Sequence, residues 1–215
     1  MIPLNEIAPP VKKRKSDWEK FLDIISRRNL SQIYHYTPIE NLPRILTAQG
    51  MYSRHQARLR NIHPVETHGW GNKFYDLEDY ICLSFVPPKW LLEKGAGRFA
   101  ALAVNPRVIG YQGTIFSRRS SASIEVNTLV LKATDTADEF DVLFPDADGM
   151  IPKYPLSEIL VEDYIPLRDI QAIYLPTWKG NHGYFWFWLY KKWSNFYRYG
   201  FSYPPLLVDA KKKLF

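Results

Sequence analysis

The stretch QIYHYTPIENLPRILTAQG, residues 32–50, changes its pattern within three residues. Gln32 to Tyr36 carries isoleucine and paired tyrosines, residue types that suit a pleated, half-buried strand. Thr37, Pro38 and Glu40 then supply an N-cap, an N1 proline and an N3 carboxylate, the signature of a helix start. Leu42, Ile45 and Leu46 form its apolar stripe, and Gly50 is the expected stop. His35 stands at this strand-to-helix turn between two tyrosines. Two readings are open for it: a packed turn residue, or the first wall of a ligand site.

Working outward, Ser16 and Glu19 form a capping-box pattern ahead of a helix whose Trp18, Phe21, Leu22 and Ile25 share one face. Residues 1–15, with Pro9-Pro10 and a Lys-Lys-Arg-Lys run, read as a flexible, solvated basic arm. Residues 52–79 lack periodic apolar positions and are expected to form a long irregular stretch, of the kind that carries function. DYICLSFVPP (79–88) and RFAALAVNP (98–106) read as strands, and VIGYQGTIF (108–116) as a shorter one. SRRSSASIEVN (117–127) is a polar loop; LSEILVED (156–163) and IQAIYLP (170–176) are two further strands. Early helices followed by strands and long loops predict an α+β fold.

After Pro176 the texture changes. Residues 184–203 hold twelve aromatics in twenty positions, on every face at helical spacing. Such a segment is either buried on several sides or presents rings to a partner. The expected organisation is a basic arm (1–15), one domain (16–176) and an aromatic-rich extension packed on it (177–215).

Composition narrows the partners. The 215 residues carry a net charge of +6, so an acidic partner such as nucleic acid is plausible. Fifteen per cent aromatic content interleaved with Arg and Lys suits stacking on unpaired bases, and a dense core equally well. No run approaches the about eighteen apolar residues of a membrane span, and the N-terminus has no apolar signal core. One cysteine, Cys82, allows no internal disulfide, so a cytoplasmic location is expected. The histidines at 35, 55, 63, 68 and 182 lack metal-ligand spacing, so no metal is expected. Phosphate-loop, dinucleotide-loop and serine-elbow motifs are absent.

Glu158 is the residue that most needs explaining. With a two-residue period it shares a strand face with Leu156 and Leu160, while Ile159 and Val161 face the other way. A carboxylate there is either functional or sits on an edge strand, in solvent or paired with an arginine.

YHYTPIENLPRILTAQGMYSR (34–54) resembles the opening motif of the DarT-like ADP-ribosyltransferases. DYICLSFVPP (79–88), VIGYQGTIFS (108–117) and SEILVEDYIPLRDI (157–170) resemble that family's later blocks, in the same order. The likeness spans about residues 33–176 and stops before the aromatic segment. It implies an ADP-ribosyltransferase-like fold with split antiparallel or mixed β-sheets. It further implies transfer of ADP-ribose from NAD to a base in single-stranded DNA or RNA, commonly by a toxin with an antitoxin partner. His35 would bond the nicotinamide-side ribose; Tyr36, Thr37, Asn41, Tyr80 and Ser84 would help hold NAD; Glu158 would be the transferase glutamate.

Two places depart from the family pattern. An arginine expected before the DYICLSF strand is missing, Lys73 being the one cation between Thr67 and Tyr80. The resemblance shifts that role to Arg54, Arg58 or Arg60; Arg54 is assigned the catalytic part, and Arg58 and Arg60 contacts to nucleic acid. After GTIFS, Arg118 and Arg119 stand where the family carries an acidic residue, and are expected to contact phosphate. The alternatives are a transferase of the same fold acting on protein, and a non-catalytic module that binds nucleic acid.

Overall fold

The computed structural model describes residues 11–65, 77–86, 99–118, 134–144 and 157–175, together with the backbone of 206–209. Helix α1 (Trp18–Arg27) leads into β1 (Ile33–Pro38), a 3-10 turn (Ile39–Asn41) and α2 (Leu42–Thr47). Then come β2 (Gly50–Tyr52), α3 (Arg54–Leu59), β3 (Tyr80–Ser84) and β4 (Phe99–Val104). Strand β5 (Ile115–Ser117), helix α4 (Ala137–Asp141) and strands β6 (Glu158–Glu162), β7 (Tyr164–Pro166), β8 (Ile170–Leu175) and β9 (Leu206–Asp209) complete the described elements.

Seven strands form one sheet in the order β5-β6-β3-β1-β4-β8-β9, and β2 pairs with β7 in a separate ribbon. All pairings are antiparallel except β8 with β9, so the α+β expectation holds. The aliphatic runs explain why these strands are central. Leu102, Val104, Ile159, Val161 and Ile173 are fully buried and face one core with Phe21, Leu42 and Leu46. At its β5 end Phe21, Phe116 and Phe140 meet with centroids 4.7–5.9 Å apart. Each such ring contributes about 1.5–3 kcal/mol by leaving water. The other sheet face carries a smaller cluster in which Tyr34 and Tyr174 flank Ala101, Ala103 and Ala172.

Several boundaries differ from the sequence reading. The Ser16/Glu19 capping box does not form; α1 starts after Asp17, whose carboxylate instead accepts from the Ala137 backbone N–H at 3.0 Å. Leu22 is exposed and Ile24 takes its buried place. Thr37 is not an N-cap: β1 continues through Pro38, and the Thr37 hydroxyl accepts from Asn41. Gly50 does not end α2. Gln49 takes the left-handed turn (φ 58°), and Gly50 opens β2. A Cβ on Gly50 would stand 2.6 Å from the Ile165 carbonyl oxygen, so this position needs glycine for close pairing with β7. The stretch after Tyr52 is not all irregular, since Ser53 caps α3 through the Gln56 N–H. Residues 106–110 form a 3-10 turn, which leaves β5 only three residues.

The basic arm is also corrected within the described residues. Residues 11–15 are docked: Lys15 N–H donates to the Gly110 carbonyl at 2.9 Å, and Gln112 N–H to that of Lys13 at 2.9 Å. The Arg14 guanidinium lies 4.4 Å from the Trp18 ring, which stacks on Tyr111. Cations over aromatic faces are attractive, so the run has partners that its composition alone does not reveal. Residues 1–10, and the aromatic segment 184–203, lie outside the described residues.

Trp18 is seated on bare backbone at Gly110, where an added Cβ would meet ring carbons at 2.2 and 2.5 Å. Gly110→Ala is expected to lower unfolding stability by about 1–3 kcal/mol through overpacking. A urea midpoint equal to that of the parent chain would contradict this seat for Trp18.

Candidate functional site

The site is built where the large sheet divides. Strand β1 shares a full ladder with β4, from Ile33 opposite Val104 to Pro38 opposite Phe99. Strand β3 shares one with β6, from Tyr80 opposite Glu162 to Ser84 opposite Glu158. Between β1 and β3, however, the register holds one pair, Tyr34 opposite Ser84.

His35 spans the division beside that pair, with Nδ1 3.0 Å from the Cys82 carbonyl oxygen. A carbonyl only accepts, so Nδ1 carries the proton and donates. In the neutral ring Nε2 is then left as an acceptor. The residue keeps part of its surface exposed, but burial within the sheet lowers its pKa from the usual 6.5; the bond to Cys82 opposes this more weakly. His35 is therefore a neutral ring with a fixed tautomer.

Tyr36 reaches across the same division, its hydroxyl donating to the Val86 carbonyl at 2.8 Å. Burial, its largest influence, keeps this phenol protonated far above the ordinary range. Ser84 closes the end of β3: its Oγ donates to the Val86 carbonyl (3.0 Å) and accepts from the Val86 N–H (3.3 Å). Tyr34 is pushed up to about 12, chiefly by burial, and shares the Gln32 side-chain oxygen with Tyr174.

Glu158 is half-buried at the first position of β6. The registers align Ser117, Glu158, Ser84 and Tyr34 in one row across β5, β6, β3 and β1. Opposed residues share a sheet face, so this row is one polar strip that ends at Tyr34; His35, the next residue of β1, is paired with Leu102 of the main core and starts from the other face. Strands β1 and β6 are two spacings apart, about 10 Å, where Tyr34 and Glu158 stand in this row.

Thr37 and Asn41 are both buried, and they are committed elsewhere. Asn41 Nδ2 donates to Thr37 Oγ1 and to the Val65 carbonyl, both at 3.0 Å, while its Oδ1 accepts from the Val65 N–H at 2.6 Å. These bonds fasten residue 65 beside the start of α2.

The other expected residues are more scattered. Tyr80 opens β3 opposite Glu162, about 13 Å along the strand from Ser84. Arg54 lies in the first turn of α3, where its charge helps lower the Glu78 pKa; the hydrogen bond from Arg58 is the largest cause. Arg58 pairs with Glu78, and Arg60 lies 4.8 Å over the Tyr52 ring. This basic group gathers at the Tyr80 end of β3, away from the register partner of Glu158. Arg118 is exposed one residue beyond Ser117, on the Glu158 side. Arg119 lies outside the described residues. Ser117, the Cys82 carbonyl and the Val65 clamp were not anticipated as site features. Only Ser117 had a signal in the sequence, as the last residue of the GTIFS block.

Among the described residues no group of three or more His, Cys, Asp or Glu is arranged to hold a metal ion. No helix among them is long and apolar enough to cross a membrane.

Because the folded-state pKa of His35 lies below 6.5, the unfolded chain takes the proton first on acidification. The share of stability from neutral His35 is present above about pH 6.5 and is lost as pH falls below it. His35→Gln keeps a donor for Cys82 without a titrating ring. Between pH 7.5 and 5.5 its thermal midpoint is expected to fall less than that of the parent; an equal fall would contradict the assigned state.

Neither the protein-family models nor the curated proteins yield a match to the chain. Solved structures do. DarT of Thermus sp. 2.9 in complex with ADP-ribosylated ssDNA aligns over 87% of this chain and 97% of its own, at 16% identity and TM-score 0.52. The same protein in complex with NAD+ aligns over 85% and 96%, at 15% identity and TM-score 0.51. DarTG of Thermosipho africanus in complex with ADP-ribose gives 15% identity and TM-score 0.51 over 83% of this chain, which spans 50% of that longer one. The divided, mostly antiparallel sheet is the DarT ADP-ribosyltransferase fold.

Proposed function

We propose that the chain is an NAD-dependent ADP-ribosyltransferase acting on a base in single-stranded nucleic acid. The observation that carries this reading is the division of the sheet, where the polar row from Ser117 through Glu158 and Ser84 ends at Tyr34 and the adjacent neutral His35 bonds across to Cys82. It lies in a fold whose neighbours were solved with NAD+ and with ADP-ribosylated ssDNA.

The chemistry matches the groups present. A ribose hydroxyl would donate to His35 Nε2, which the Cys82 bond leaves as an acceptor. As the bond from C1′ to the nicotinamide nitrogen breaks, the electron pair leaves with nicotinamide and positive charge grows on the ribose. The Glu158 carboxylate, accepting from the 2′-OH, stabilises that charge without attacking it. The lone pair of a base nitrogen then closes on C1′, and the base releases its proton. Tyr36, held across the division by its bond to Val86, provides an aromatic wall that limits water. An acceptor base must be unpaired or extruded to reach C1′.

Net charge of +6 and exposed Arg118 beside Ser117 favour a phosphate-bearing acceptor. A toxin role, with an antitoxin to neutralise it, follows from the resemblance of the four sequence blocks and forms part of this proposal.

Glu158→Gln keeps the side chain's size and removes the charge. It is expected to reduce kcat for transfer of labelled ADP-ribose by about 100-fold or more, with NAD binding little changed. The measurement uses labelled NAD with single-stranded DNA, duplex DNA, RNA and a protein mixture as acceptors. Full activity in the variant would remove Glu158 from the reaction, and label confined to protein would reassign the acceptor.

A further inference from the structure

Strand β5 is a weak neighbour for a residue as important as Glu158. It has three residues, it stands at the edge of the sheet, and it places Ser117 opposite Glu158. So short an edge strand gains little from its own ladder and depends on what covers it. Two contacts do so. On the open edge, Phe116 exchanges backbone bonds with Thr134, at 2.7 and 3.1 Å. The alternation of an antiparallel ladder then turns the Ile115 and Ser117 amides toward β6.

The second contact is the docked basic run. Lys15 Nζ lies 4.9 Å from the centroid of Phe116 and 4.8 Å from that of Phe21 on α1, and donates to the Asp135 carbonyl. One ammonium therefore ties α1, β5 and the 134–135 segment together. Lys12 secures the other end of β6, donating to the Glu162 carbonyl at 2.6 Å. Between them, Lys15 N–H and the Lys13 carbonyl bind the turn at Gly110 and Gln112 that feeds β5. Cations held over rings and away from water are worth more than exposed ones.

We propose that Lys15 is a positioning residue for Glu158. Its ammonium clamps the Phe116 ring between α1 and residue 135, which fixes the β5–β6 register and so the carboxylate. The basic run is thus an internal strap on the catalytic edge, and the cations of Lys12, Arg14 and Lys15 are committed to the protein. The inference rests on the reading of Glu158 as the transferase glutamate.

The test is amide hydrogen exchange on the full chain, comparing the parent with Lys15→Met, Lys15→Arg and Phe116→Leu. Lys15→Met keeps the apolar stem and loses the charge. It is expected to lower protection of the β5 and β6 amides at least tenfold, leaving those of β1 and β4 unchanged. Lys15→Arg is expected to restore protection. Phe116→Leu, which removes the ring under the ammonium, should reproduce the local loss and serves if Lys15→Met does not fold. In the transfer assay, Lys15→Met should lower kcat at least tenfold with KM for NAD within twofold. Unchanged exchange, an equal loss across β1 and β4, or an unchanged kcat would each overturn the proposal. A parent chain without transferase activity would sink the functional reading alone, and the exchange comparison would still decide whether Lys15 holds this edge.

Discussion

Between β1 and β3 the large sheet gives up its backbone ladder after one pair, and a histidine ring takes over. Unpaired backbone groups inside a protein are costly, so a sheet divides in its middle only where something else satisfies them. Here His35 Nδ1 caps the Cys82 carbonyl, and Tyr36 and Ser84 both use that of Val86. The division is therefore furnished with side chains rather than left empty. Every element that matters to the proposed chemistry is placed relative to it: β6 carries Glu158 on one side, and β4 backs β1 on the other.

The same constraint explains how the site gains its chemical character. A ring that must donate to a carbonyl through one nitrogen, and is kept neutral by burial, has a single acceptor to offer. Glu158 reaches its position by register, with β3 on one side and on the other β5, an edge strand reinforced from outside by aromatic and cationic contacts. The buried phenylalanines at 21, 116 and 140 are shared between this reinforcement and the core, which couples fold stability to the geometry of the edge.

Strand centres were legible in the sequence because aliphatic runs such as ALAV and ILV report burial directly. Their ends were not. Asp17 and Thr37 stand where capping rules place N-terminal signals, yet their side chains bond to Ala137 and Asn41. A local rule cannot see a partner 120 residues away. Strands β2 and β7, three residues each, have no period to detect and exist through their mutual pairing. The basic run read as a solvated tail because charge composition carries no information about the rings beneath it. At the site, motif order pointed to His35 and Glu158, whereas the division between β1 and β3 was visible only in the register. The arginines of α3 show the opposite limit: the family resemblance suggested a site role, and the fold gathers them at the far end of β3.

In the proposed reaction the division of the sheet receives NAD. Backbone amide spectra recorded during titration with a non-hydrolysable NAD analogue test it most directly. The largest shifts are expected at Tyr34, His35, Ser84 and Glu158, with the β2–β7 ribbon unaffected. Shifts confined to another face, or none at millimolar analogue, would contradict it.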